Sequence, residues 1–156
     1  MDIKKWMRDR INELDREKER LHKEQEKETA KKENDIQAKY AQADILDKFI
    51  KRTVMPCFEK AQKDYQAPDF LCEIDTFPDK QGRLYAIKIN FSLVNHNKLF
   101  YLKYEGKVGN DEVKREICLA DPSSPSRHGF DIKHLSPEII NKHIKAFLKA
   151  ALPKSS

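Results

Sequence analysis

The sequence predicts an α+β protein. A long, kinked N-terminal helix projects as a coiled-coil-like arm. A four-stranded antiparallel meander follows, and a C-terminal amphipathic helix packs on the sheet. Three observations carry this. Residues 2–35 hold 22 charged residues and neither Pro nor Gly. Apolar side chains recur at helical spacing over 36–65 and at a period of two over 70–119. Ser136-Pro137-Glu138 then opens a second amphipathic run. The chain is expected to divide into a charged helical arm, 1–35, and one α+β domain, 36–156.

In the arm, acidic residues precede basic ones by three or four positions, as at Glu13/Arg16, Glu19/Lys23 and Glu28/Lys32. Such pairs stabilise an isolated helix by about 0.2–0.5 kcal/mol each. Met7, Leu14 and Leu21 are seven apart, and Ile11 falls between the first two at heptad spacing. Ile3 and Trp6 extend the apolar end. The next seam positions are Gln25 and Glu28, so the seam spans about two heptads where a sustained coiled coil has three or four. If Trp6, Met7, Ile11, Leu14 and Leu21 are buried, a partner must cover them.

From Ile36 the periodicity strengthens. Ile36, Tyr40, Ala43, Ile50, Val54 and Cys57 mark a core face, with Phe49 and Phe58 beside it. Pro56 removes a backbone donor inside this run, and periodicity on both sides predicts a kinked but continuous helix. Ala67-Pro68-Asp69 ends it. A helix from residue 3 to 65 would be about 90 Å long at 1.5 Å per residue. That exceeds a small domain, so its first half should project.

Four strands are expected: Phe70–Thr76, Leu84–Val94, Lys98–Glu105 and Glu112–Leu119. Cys72, Ile87, Ile89, Phe91, Phe100, Leu102, Tyr104, Val113 and Ile117 fall on one face. Lys88, Lys103, Lys114, Glu73, Glu105 and Glu116 fall on the other. Turn chemistry separates the strands at Pro78–Gly82, Asn95-His96-Asn97 and Gly109-Asn110. Short connections make the sheet an antiparallel meander with one wet face. Residues 120–135 read as a loop, with a short extended piece near Phe130–Ile132. The closing helix, 137–152, has Ser136 as N-cap and Pro137 in its first turn. Ile140, Ile144, Phe147 and Leu148 line its apolar face, and Pro153 stops it.

Composition narrows function. The 156 residues are 37% charged with a mean hydropathy of −0.83, and no apolar run is long enough for a membrane span. The start, MDIKKWMRDR, has no apolar core of a signal peptide. Three unpaired-looking cysteines without CxxC fit a reducing, cytoplasmic setting. Net charge is +5, and charges in 1–35 cancel at 11 of each sign. The excess is therefore carboxy-terminal, in a basic patch of Arg127, Lys133, Lys142, Lys145 and Lys149, with Lys154 beyond it.

No G-x-S-x-G, no GxGxxG or P-loop, and no H-E-x-x-H occurs. No catalytic residue, cofactor or metal is assigned. The expected function is a non-enzymatic interaction or scaffold module, forming a homodimer through Trp6, Met7, Ile11, Leu14 and Leu21, or docking another protein there. The alternative is a nucleic-acid-associated protein using the basic patch. A third reading makes the chain an enzyme with a metal held by His128, Asp131 and His134.

Overall fold

The structure is a computed structural model that describes residues 2–119 and 125–152. Pro153 and Lys154 lie outside the described residues, as do the first five residues, 120–124, of the loop expected at 120–135. The chain divides into two compact units, Met1–Tyr40 and Ala41–Ser156.

The first unit is helical from Ile3 onward. It belongs to helix α1, Ile3–Phe49. Asp2 starts the helix: its Oδ1 accepts from the Lys4 N–H at 3.1 Å, and its carbonyl accepts from the Trp6 N–H at 3.2 Å. An acidic N-cap satisfies a donor the first turn leaves open and also suits the helix dipole. Every residue from 2 to 42 is exposed. One close ion pair lies along this stretch among the described residues, Arg10–Glu13 at 3.1 Å, and His22 Nε2 lies 3.0 Å from Glu26 Oε1. Pairs suggested by spacing further along, such as Glu19/Lys23 and Glu28/Lys32, do not close to contact. Solvated side chains on an exposed helix gain little by closing.

In the second unit the helical run continues through a π-helical turn, Ile50–Val54, into α2, Met55–Tyr65. The Met55 N–H bonds the Ile50 carbonyl, five residues back. This accounts for Pro56. A proline removes its own donor and crowds the carbonyl four residues earlier. A widened turn directly before it lets the helix continue. Burial begins at Ala43 and follows one face through Leu46, Phe49, Ile50, Val54 and Phe58. Tyr40, expected in the core, is instead exposed, because it lies a turn before that face begins.

The sheet has five antiparallel strands in sequence order, where four were expected. They are β1 (Phe70–Pro78), β2 (Leu84–Leu93), β3 (Lys98–Gly106), β4 (Glu112–Cys118) and β5 (Ser126–Asp131). The additional strand is β5, inside the region read as a loop. Its sequence, SRHGFD, has one large apolar residue and so no alternation to read. Its pairing comes from β4, with Val113 opposite Phe130 and Glu116 opposite Arg127. The β2–β3 turn places Asn97 at φ 53°, a left-handed conformation that Asn tolerates better than most residues.

Helix α3, Pro137–Ala151, starts as its sequence implies, with Ser136 Oγ accepting from the Ile139 N–H at 3.3 Å. Its Phe147 packs on the sheet, 5.8 Å from the Phe91 ring and 5.7 Å from Phe100. Phe70 joins this group at 5.5 Å from Phe91, although it is only half-buried. Ile74, Tyr85 and Ile117 are likewise half-buried at the edge of the core.

Two contacts fix the helical run around the π turn to the β1–β2 turn and the start of β2. Asp47 Oδ1 accepts from the Leu84 N–H at 2.7 Å, and the Lys51 ammonium reaches the Gly82 carbonyl at 3.2 Å. Burial opposes the Asp47 carboxylate. The Leu84 N–H, Lys51 and Arg83 outweigh it and hold the group below its ordinary pKa. At Gly106 an added Cβ would lie 2.6 Å from a Leu46 methyl. Gly106→Ala is therefore expected to destabilise the second unit by about 1 kcal/mol, the low end for overpacking, because the end of Leu46 can rotate. Urea denaturation of this variant, with Leu46→Val added to restore space, checks the claim. Equal midpoints for the single variant and the parent would refute it.

Candidate functional site

The residues of the expected interface all lie on the first unit. Trp6, Met7, Ile11, Leu14 and Leu21 are each 51–57% exposed. Half exposure is what a helix leaves to side chains that no second surface covers. A heptad with Ile11 at position a places Met7, Leu14 and Leu21 at d and Lys18 at the following a. Trp6 takes a c position, about 130° around the helix from the middle of the seam, and so lies outside it. The helix that carries the seam holds good helix formers and no Gly or Pro.

The residues of the expected basic patch are divided. Lys142, Lys145 and Lys149 are exposed on α3, which covers the sheet face bearing Phe91 and Phe100. Arg127 lies opposite Glu116 on the other face and forms an ion pair with it. Lys133 is exposed in a short 3-10 turn, Ile132–His134.

That other face is a connected polar layer. The Tyr101 hydroxyl donates to Glu116 at 2.7 Å, and Lys88 sits 4.8 Å above the Tyr101 ring. Burial, and then the neighbouring Glu116, push the Tyr101 phenol up to about 12. Lys103 pairs with Glu105 at 2.8 Å, and the Asn90 amide donates to Asp75 at 2.7 Å. Mixed signs opposite one another stabilise antiparallel strands. Here they occupy the aromatic and basic groups that a single-stranded nucleic acid would need.

His128, Asp131 and His134 are not brought to one point. In the β4–β5 register His128 is opposite Arg115 and Asp131 opposite Glu112, so His128 and Asp131 belong to opposite faces of the sheet. Asp131 Oδ1 accepts from the Lys133 N–H at 3.0 Å, capping the 3-10 turn. Among the described residues no group of three or more His, Cys, Asp or Glu is placed to hold a metal.

One cluster was not anticipated from the sequence. Arg115 occupies a core-facing position between Val113 and Ile117, opposite Tyr104 and His128. Its guanidinium stacks 5.0 Å from the Phe130 ring, and its Nε is buried without a hydrogen-bond partner among the described residues. Tyr104 is fully buried, and its hydroxyl lies 2.7 Å from His143 Nδ1. Burial, and then the nearby Arg115 charge, lower the His143 pKa to about 4. The ring is therefore neutral at pH 7 and shares a hydrogen bond with the buried Tyr104 hydroxyl through Nδ1. The signal for this cluster was the alternation itself, which puts Arg115 on the apolar side.

The cysteines differ in setting. Cys57 and Cys72 are buried and Cys118 is half-buried. Burial raises the Cys72 thiol to about 11 and raises Cys57 as well, so both behave as small apolar residues with little thiolate at neutral pH. Among the described residues no helix is long and apolar enough to cross a membrane.

Comparison of the chain with protein-family models, with curated proteins and with solved structures gives no match.

Proposed function

We propose that the protein is a non-enzymatic interaction module that self-associates as a homodimer through the seam Met7, Ile11, Leu14 and Leu21. The observation that carries this reading is the half exposure of a heptad-spaced apolar stripe on a helix whose other faces are charged. A second copy offers the same stripe, and symmetric pairs are the commonest assemblies.

The magnitudes predict a weak dimer. Covering the exposed half of each seam residue contributes about 1 kcal/mol per side chain, or on the order of 8 kcal/mol for two copies. Association itself costs about 4–15 kcal/mol. At most about 4 kcal/mol remains, so pairing should depend on concentration up to about the millimolar range. The test is light scattering on the full chain across that range, beside Leu14→Glu. The parent should move from monomer to dimer mass, and Leu14→Glu should stay monomeric with unchanged circular dichroism. A parent that remains monomeric throughout would overturn the reading.

The nucleic-acid alternative has less behind it, because Arg127 is engaged by Glu116 away from the α3 lysines. Salt separates the two. Nucleic-acid binding weakens steeply with added salt through counterion release, whereas an apolar seam does not.

A further inference from the structure

The seam also carries a preference for how two copies align, and this step rests on the dimer reading above. A β-branched residue at a with leucine at d favours two parallel strands, and a single lysine at an a position fixes register. The seam has Ile11 at a, Leu14 and Leu21 at d, and Lys18 at the next a. In a parallel pair Lys18 meets only its own copy, and its long stem lets the ammonium reach water. In an antiparallel pair Ile11 would face Leu14, and Lys18 would face Met7.

The flanking charges allow the parallel arrangement but do not select it, since the antiparallel one also sets unlike charges together, so the preference rests on the a and d residues. Parallel helices bring a g residue near the e residue five positions later on the partner. Arg10 is a g residue and Asp15 the corresponding e residue. Arg10 bonds Glu13 within its own helix, but both side chains are over 60% exposed, so the pair is weak and exchangeable.

We infer that the protein pairs with a second copy of itself as a parallel, in-register two-stranded coiled coil, with Arg10 of each copy against Asp15 of the other. Antiparallel pairing would instead set Arg10 against Glu17 and Arg8 against Asp15. A charge exchange therefore separates the two. Arg10→Glu should weaken dimerisation of the full chain in either orientation. Adding Asp15→Arg should restore it only in the parallel one. In an antiparallel pair the introduced carboxylate would face Glu17 and the introduced guanidinium would face Arg8, so both contacts would repel.

Cross-linking gives an independent readout. In a thiol–disulfide buffer Lys18→Cys should form 18–18 linked dimers. It should do so roughly tenfold faster than Arg16→Cys on the far side of the helix, since pairing raises the effective concentration of the thiols. Mass spectrometry of the linked peptides separates these from the three native cysteines. A dimer by light scattering whose charge exchange weakens it further, or one that links Lys18→Cys only to Met7→Cys in a mixture, would overturn the parallel register and leave the dimer standing. A parent chain that is monomeric at all concentrations would overturn both.

Discussion

Replacing Phe147 with alanine is expected to bring the second unit close to unfolding. Phe147 is 1% exposed and lies within 6 Å of two sheet aromatics, Phe91 and Phe100, which stack on each other at 5.7 Å. Removing it deletes the ring that joins α3 to the centre of the sheet. Large-to-small changes at buried phenylalanines cost about 3–5 kcal/mol, against a total of about 5–15 kcal/mol for a domain. Phe147→Leu keeps most of the volume and should cost about 1–1.5 kcal/mol. The choice of probe matters. Trp6 is the single tryptophan and belongs to the first unit, so its fluorescence does not report this core. Near-ultraviolet circular dichroism of the buried tyrosine and phenylalanines does. Equal urea midpoints for Phe147→Ala and Phe147→Leu would mean that the aromatic stack is not a cooperative part of the core.

The same residues show what periodicity can and cannot reveal. Phe91, Phe100 and Phe147 were legible because each sits in a run whose period exposes its face: two for the strands, 3.6 for α3. Ser136 was legible because capping is local chemistry. β5 was not, because Ser126–Asp131 has almost no apolar pattern and owes its pairing to β4, a tertiary cause. The π turn was not legible either: Pro56, with periodicity on both sides, predicts a kinked but continuous helix, and the widened turn is a backbone detail that periodicity does not report. Arg115 shows a different limit. Its position in the alternation was plain, yet a guanidinium on a core face becomes reasonable only once Phe130, supplied by the unforeseen β5, lies beneath it. The seam of the first unit stands apart, since heptad spacing is a property of one helix. It can be read without tertiary information, whereas whatever covers it cannot.

Arg115 also leads to a measurable pH dependence, through His143. The unfolded chain protonates this histidine near 6.5, whereas in the folded protein burial and Arg115 lower the value to about 4. Between those limits the unfolded state binds the extra proton, so stability rises with pH there. The contribution is complete above about 6.5, declines as pH falls toward 4, and is constant below it. His143 is half-buried, so the effect is discounted for solvent screening to about 1–2 kcal/mol over the window. His143→Asn keeps an acceptor for the Tyr104 hydroxyl and removes the titration. It should be less stable than the parent at pH 7, since the stacked ring above Tyr104 and Phe130 is lost. Its stability should fall less between pH 6.5 and 4 than that of the parent. Tyr104→Phe serves as the companion variant. It leaves the titrating ring in place but removes the hydroxyl bonded to Nδ1. Where the hydroxyl donates to Nδ1, its loss should raise the His143 pKa and shrink the pH slope; where Nδ1 donates, its loss should lower the pKa and steepen the slope. NMR titration of the His143 ring in the parent measures the quantity directly. A parent His143 that titrates near 6.5 in the folded protein would show that neither burial nor Arg115 acts on it as described, and the pH dependence would then have to come from the carboxylates instead.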